Sequence, residues 1–259
     1  MQFCVFRLYA PLSSWGDIAV GMERRSYYQP SKSAVVGMVA AALGIERTEE
    51  DTYRQLFDSI GFGLKLINPG DSIVDYHTSQ VPKKGKKVNY RTRRDEIFAN
   101  PEKGNTVLSS REYRCDSLSI IALWKRLDDE RGYSLKEIQN ALLFPEFHLY
   151  LGRKSCPPAL PLEPQIIITD TLKDALHDAE FGPVISPFSD KEHDIQTANK
   201  IEKRVFCSDQ NPMYFWEDCR NSGFQTWTKC TEKYDRPIHR DRWQFGLRYE
   251  YSTIEDQGV

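Results

Sequence analysis

Nine basic side chains crowd the segment between Ser79 and Arg111: Lys83, Lys84, Lys86, Lys87, Arg91, Arg93, Arg94, Lys103 and Arg111, against three acids. Tyr90 and Phe98 sit among them. Cations neutralise phosphates and aromatic rings offer stacking faces, so this mixture suits single-stranded nucleic acid. The competing reading is a solvated surface loop. Tyr76 and His77, in DYHT (75–78), could stack on splayed bases or simply close a half-buried strand end. In PSKSAVVGMVAAALGI (30–45), Ser31 is a good helix N-cap and Lys32 adds charge beside free backbone N–H groups. An RNA phosphate would fit there, and capping alone explains the serine equally well. The spacing is not a Walker motif, because no GxxxxGK[ST] is present.

Arg111, Arg114, Arg153 and Lys154 fall at the ends of inferred strands, where they could fork onto phosphates or form surface salt bridges. Trp15 reads better as a core or subunit-interface anchor than as a stacking platform. His77, Tyr28 and Lys32 could supply the base and acid of a metal-independent ribonuclease, the main catalytic alternative. A second is a single-strand binding module that acts alone. Six cysteines are scattered with no CxxC pair, which argues against a disulfide framework or a zinc site, and no cofactor motif appears.

These residues need a scaffold. FCVFRLYA (3–10) reads as a strand, 31–44 as a helix stopping at Gly44, and TEEDTYRQLFDS as a second helix capped by Thr48. IGFGLKLI (60–67) and YRCDSLSIIALW (113–124) are strands. Ser134 and Glu137 form a capping box ahead of SLKEIQNALL, and FHLYLG (147–152) supplies a fourth strand. The order is β-α-β-β-α-β, so the expected fold is α+β and ferredoxin-like, with residues 79–111 as a long basic hairpin insertion. Past the proline-rich run PPALPLEP, QIIIT (165–169) reads as a buried strand and TLKDALHD (171–178) as a helix. The expected division is a domain at 1–157 and a smaller β-rich domain at 158–259.

With 40% hydrophobic residues the chain is not generally disordered. The net charge of −2 hides an asymmetry: residues 1–160 carry 23 Lys+Arg and 19 Asp+Glu, the remainder 12 and 18. A polyanion would therefore be held mainly by the first part. The longest apolar run, Ala34 to Ile45, has twelve residues where a membrane span needs about 20, so a cytoplasmic protein without membrane contact is expected.

FRLYAPLSSWG (6–16), PSKSAVVGMVAAALGI (30–45), DYHT (75–78), REYRCDSLSIIALW (111–124) and YLGRKSCP (150–157) together resemble, in order and spacing, the CasD family of type I-E CRISPR Cascade subunits, of the RAMP superfamily. A looser match surrounds DRPIHRDRW (235–243). The resemblance implies a structural subunit that grips the 5′ handle of the crRNA. It would touch the terminal backbone subunit, help dock the large PAM-reading subunit and meet target DNA only through the complex. It also implies that 79–111 is a thumb set against the RNA. A dedicated processing subunit in type I-E systems makes the nuclease reading the weaker one.

Overall fold

Phe3, Cys4, Val5 and Phe6 are all fully buried although they follow one another along a single strand, β1 (Gln2–Ser13). Successive strand side chains point to opposite faces, so both faces of β1 must be covered. In the computed structural model the described residues are 1–16, 19, 21–81, 90–98, 105–126, 132–183, 189, 191–206, 211–219, 221–225, 229–239, 242 and 244–254. After β1 come the short strands β2 (Trp15–Gly16), β3 (Glu23–Arg24) and β4 (Ser26–Tyr27), then helices α1 (Lys32–Ala42) and α2 (Glu50–Ser59). β5 (Ile60–Asn68), β6 (Asp71–Val81), α3 (Arg93–Phe98), β7 (Asn105–Lys125) and α4 (Leu135–Leu143) follow. The chain continues with β8 (Gln165–Ile168), α5 (Leu172–Asp178), α6 (Glu192–Phe206), β9 (Met213–Trp216), β10 (Lys229–His239) and β11 (Gln244–Ile254).

The main sheet runs β10-β11-β9-β5-β7-β1-β8, antiparallel at every step. α1, α2 and α4 cover one face, where Val35, Val39, Leu56 and Ile138 pack on Phe6, Phe62 and Leu123. α5 covers the other, where Leu172 and Leu176 join Phe3, Val5, Trp124 and Trp216. Gly61 makes this second layer possible, because an added Cβ would lie 2.0 Å from the Trp124 indole. Strands from both sides of Pro157 share the sheet: β8 pairs with β1, and β9 pairs with β5.

β7 is the spine. Its C-terminal half lies between β1 and β5, and its N-terminal half leaves the core and pairs with β6 from Asp71↔Cys115 to Val81↔Asn105. β3 joins the opposite edge, parallel, at Ser110 and Arg111. The partner of β7 changes at Gly70, whose φ of +70° and 2.2 Å approach of a notional Cβ to Cys115 O leave room only for glycine. Asp116 stands opposite this corner in the left-handed region (φ 56°), and the register slips between Leu66 and Asn68. β6 and the outer half of β7 form an arm; the described side chains of β6 are exposed along its length.

Several sequence readings hold locally. Ser31 accepts from Ala34 N, Gly44 has φ +76°, and Ser134 and Glu137 form the reciprocal box. Others need correction. Thr48 does not cap α2; the N-cap is Glu49, with no side-chain cap bond. Residues 147–152 are not a strand. Glu146 N and Phe147 N donate to Ala42 O and Ala41 O, closing the end of α1, and Leu151 N donates to Cys156 O within its own turn. Those amides have no ladder left to join, and β8 takes the edge beside β1 instead. β8 is consequently half-exposed rather than buried. Among the described residues no helix is long and apolar enough to cross a membrane.

Candidate nucleic-acid interface

The start of α1 is occupied by the protein itself. Lys32 is 1% exposed; its Nζ donates to Ile60 O at 2.7 Å and to Glu217 Oε2 at 2.8 Å, and stands 4.4 Å from the centre of the Phe57 ring. Arg126 shares Glu217 at 3.0 Å. Arg248, also buried, donates to Asp235 Oδ1 at 2.5 Å and Glu250 Oε2 at 2.8 Å. Asp235 in turn accepts from Ser33 N at 3.4 Å, so a protein carboxylate sits where a phosphate was expected. Burial pushes the Lys32 ammonium down to about 8, Glu217 opposes that shift, and the Arg126 charge adds to it. The helix start is thus an internal ion cluster tying α1 to β9, β10 and β11. Lys32 is unavailable to RNA, and the Ser31 hydroxyl is spent on Ala34 N and on Ser33 Oγ.

Tyr76 and His77 are placed on the arm, on opposite faces. Register puts Ile73, Asp75 and His77 with Tyr113, Arg111 and Ser109, and puts Val74 and Tyr76 with Glu112 and Ser110. Tyr76 is 61% exposed, free of any core role. His77 is paired with Asp75 two residues back on its own strand. Arg91, Arg93 and Arg94 follow near and on α3: Arg93 bonds Gln80 O and Glu96, while Arg94 lies 5.6 Å from the exposed Phe98 ring. Lys83, Lys84, Lys86, Lys87 and Lys103 lie outside the described residues.

At the base of the arm the structure gathers cations from separate parts of the sequence. Arg24 and Arg111 are register partners on β3 and β7. Arg153 reaches across to both strands, donating to Glu112 O at 3.2 Å and Arg24 O at 3.3 Å, with its guanidinium 4.5 Å from the Tyr113 ring centre. Lys154 beside it is exposed. Arg114 belongs on the other face, 3.5 Å from Glu112, and half-buried. Burial alone would raise the Glu112 carboxyl, but hydrogen bonds from Ser72 and Ser26 N and the charges of Arg114 and Arg25 hold it below its ordinary value. Arg24 and Arg25 were not singled out from sequence, although the adjacent pair ahead of Ser26-Tyr27-Tyr28 was a visible signal.

The three residues of the nuclease alternative have separate engagements. Lys32 is inside the ion cluster, Tyr28 packs 6.0 Å from Phe215 with its phenol raised by burial and by Glu250, and His77 is out on the arm. Among the described residues no group of three or more His, Cys, Asp or Glu could hold a metal, and the described cysteines are free thiols. Cys4 is pushed up to about 12 by burial.

Comparison with known proteins identifies the family. Residues 3–249 match the family model described as CRISPR-associated protein (Cas_Cas5). The CRISPR system Cascade subunit CasD of Escherichia coli (strain K12) is 29% identical over 169 residues, covering 62% of this chain and 69% of that one. A chain of a CRISPR RNA-guided surveillance complex superposes with TM-score 0.60 at 19% identity, over 97% of this chain and 89% of the other. The crystal structure of a Cas protein does so with TM-score 0.57 at 21% identity, over 97% and 94%. With the family model spanning both the α1 face and the arm, the chain belongs to the CRISPR-associated Cas5 protein family.

Proposed function

We propose that the chain is a structural RNA-binding subunit of a type I-E CRISPR Cascade surveillance complex, acting in antiviral defence in the cytoplasm. It grips the 5′ handle of the crRNA, caps the backbone filament and helps dock the large PAM-reading subunit. The observation that carries this is the convergence of Arg24, Arg111 and Arg153 at the base of a projecting arm, beside exposed Lys154, with Tyr76 exposed on the arm's other face. Guanidinium groups held by backbone carbonyls keep charge free for phosphates, and an exposed ring can stack on a base. The sheet order β8-β1-β7-β5, with α1 and α4 on one face, supports reading the first module as ferredoxin-like. In that reading the arm is the thumb, and β8 completes the module, so the smaller C-terminal unit begins after it.

The chain is read as non-catalytic. Co-expression with its neighbouring subunits and a guide RNA tests the proposal. Wild type should co-purify with RNA and backbone subunit, and Arg111→Glu with Arg153→Glu should lose RNA. Each phosphate left without its cation should lower the salt slope by about 0.7. A folded wild-type chain that captures neither RNA nor partner sinks the proposal. Specific cleavage of repeat RNA abolished by His77→Ala would replace it with the nuclease reading.

A further inference from the structure

β11 pairs with β9 only from Tyr251 to Ile254, so the rest of β10 and β11 leaves the sheet as a two-stranded ribbon over α1 and α2. The ribbon is patterned the wrong way round for a hydrophobic hold. Lys233, Asp235, Arg248 and Glu250 turn inward, whereas Tyr234, Leu247 and Tyr249, which alternate with them, are exposed. Pro237 is the buried apolar exception. What holds the ribbon down is mainly polar. Asp235 accepts from Ser33 N at the start of α1, Arg248 Nη1 lies 4.0 Å from Glu217 Oε1, and Lys233 Nζ stands 4.0 Å from the centre of the Tyr27 ring. On the α2 side Arg236 forks onto Asp58 at 3.0 and 3.1 Å, and Arg54 donates to Ile238 O at 2.9 Å. Around those contacts a gap of about 310 Å³ is left between the ribbon and α2.

We propose that this ribbon is a strap: it opens as one unit about Tyr251 and uncovers Lys32 while the sheet stays folded. The inference concerns the chain alone and is independent of the RNA-binding reading. Exposed pairs such as Arg236 with Asp58 contribute little, and the attraction within buried pairs is largely offset by desolvation of the charges. Closing therefore rests on a small balance, well below what the sheet gains by burying Phe6, Phe62 and Leu123. The inner contacts are also joined to one another. Lys32 holds Glu217, Glu217 faces Arg248, and Arg248 holds Asp235 and Glu250. Losing one strands a buried charge, so they release together rather than one by one. The strap keeps its own ladder, from Lys233↔Arg248 to His239↔Gln244, as it moves.

Two buried side chains report the two kinds of opening. Lys32 lies beneath the strap at 1% exposure, and Cys4 lies in β1 at 0%. Acetic anhydride on the lysine and iodoacetamide on the cysteine, each compared with its rate in the urea-unfolded chain, give a protection factor for each. In the full wild-type chain Lys32 should be protected at least about tenfold less than Cys4, and the amides of 244–250 should share the lower value. Asp58→Asn should lower Lys32 protection about threefold and Asp235→Asn about tenfold or more, with Cys4 unchanged. Equal protection of Lys32 and Cys4 in wild type overturns the proposal, because only global unfolding would then uncover the lysine. So does a variant effect that falls equally on both, or a Lys32 rate that ignores both substitutions. Lys32 protection that departs from that of the 244–250 amides would assign the exposure to α1 alone and is equally fatal. If Asp235→Asn does not fold, the wild-type and Asp58→Asn comparisons still decide.

Discussion

Lys32 Nζ stands 2.8 Å from Glu217 Oε2, two buried charges brought together across 185 positions of sequence. Removing Lys32 strips Glu217 of its buried partner, leaving it to the half-exposed Arg126 and the more distant Arg248, and leaves Ile60 O without its donor; losing one member of a buried pair costs about 3–5 kcal/mol. Lys32→Ala should therefore lower stability by several kcal/mol in urea unfolding, whereas an exposed lysine would change it by less than about 0.5 kcal/mol. The larger value is expected here. A melt within experimental error of wild type would mean the ammonium reaches solvent.

The same lysine gives a pH signature. Its folded value is about 8 against an ordinary 10.5, so between those limits the unfolded chain holds a proton that the folded chain has released. Stability rises with pH wherever the unfolded state binds more protons. Wild type should therefore gain on Lys32→Met between pH 8 and 10, and show no such gain between pH 6 and 7.5. Parallel denaturant titrations at these pH values measure it, and a constant difference across the range would contradict the burial argument.

Two glycines should respond in opposite directions. Gly61→Ala drives a methyl into the Trp124 indole and should cost at least about 1–3 kcal/mol. Gly37→Ala meets only ordinary contact inside a helix and should stabilise by about 0.5–1 kcal/mol. Thermal melts of the two variants decide this, and a destabilised Gly37→Ala would show α1 packed more tightly than its 3.9 Å clearance allows.

On the arm, stacking and charge should separate. Tyr76→Ala should cost about 1–3 kcal/mol in RNA affinity and leave the salt slope nearly unchanged. Changing Lys83, Lys84, Lys86 and Lys87 to alanine should lower the slope by about 0.7 for each phosphate that a lysine had neutralised. Affinities of the assembled complex at several salt concentrations distinguish the two. An unaltered slope in the lysine variant returns that stretch to a solvated surface.

Local signals were readable in the sequence because their partners are three residues apart: Ser31 with Ala34, Ser134 with Glu137. The role of Lys32 was not, because Glu217, just after β9, and Arg248, on β11, come late in the chain. FHLYLG has the alternation of a strand, yet Ala41 O and Ala42 O capture the amides at its start and Gly152 turns it at its end. Six residues of period two cannot say which acceptors will be nearby. The arm's cations were visible as a run, but the cluster at its base joins Arg24, Arg111 and Arg153 only through β7 pairing and one long side chain.

β7 passes from core to arm as one strand of 21 residues, and this fixes when the arm's freedom is lost. A tethered loop gives up its conformational entropy on meeting its target, and affinity suffers accordingly. Here the ladder between β6 and β7 orders the arm's stem during folding, anchored by the same strand that Phe6 and Phe62 pack against. The stem is therefore presented as a pre-organised lever. Its orientation is inherited from the body through Gly70 and Asp116, and a partner that closes on it need not wait for a folding step.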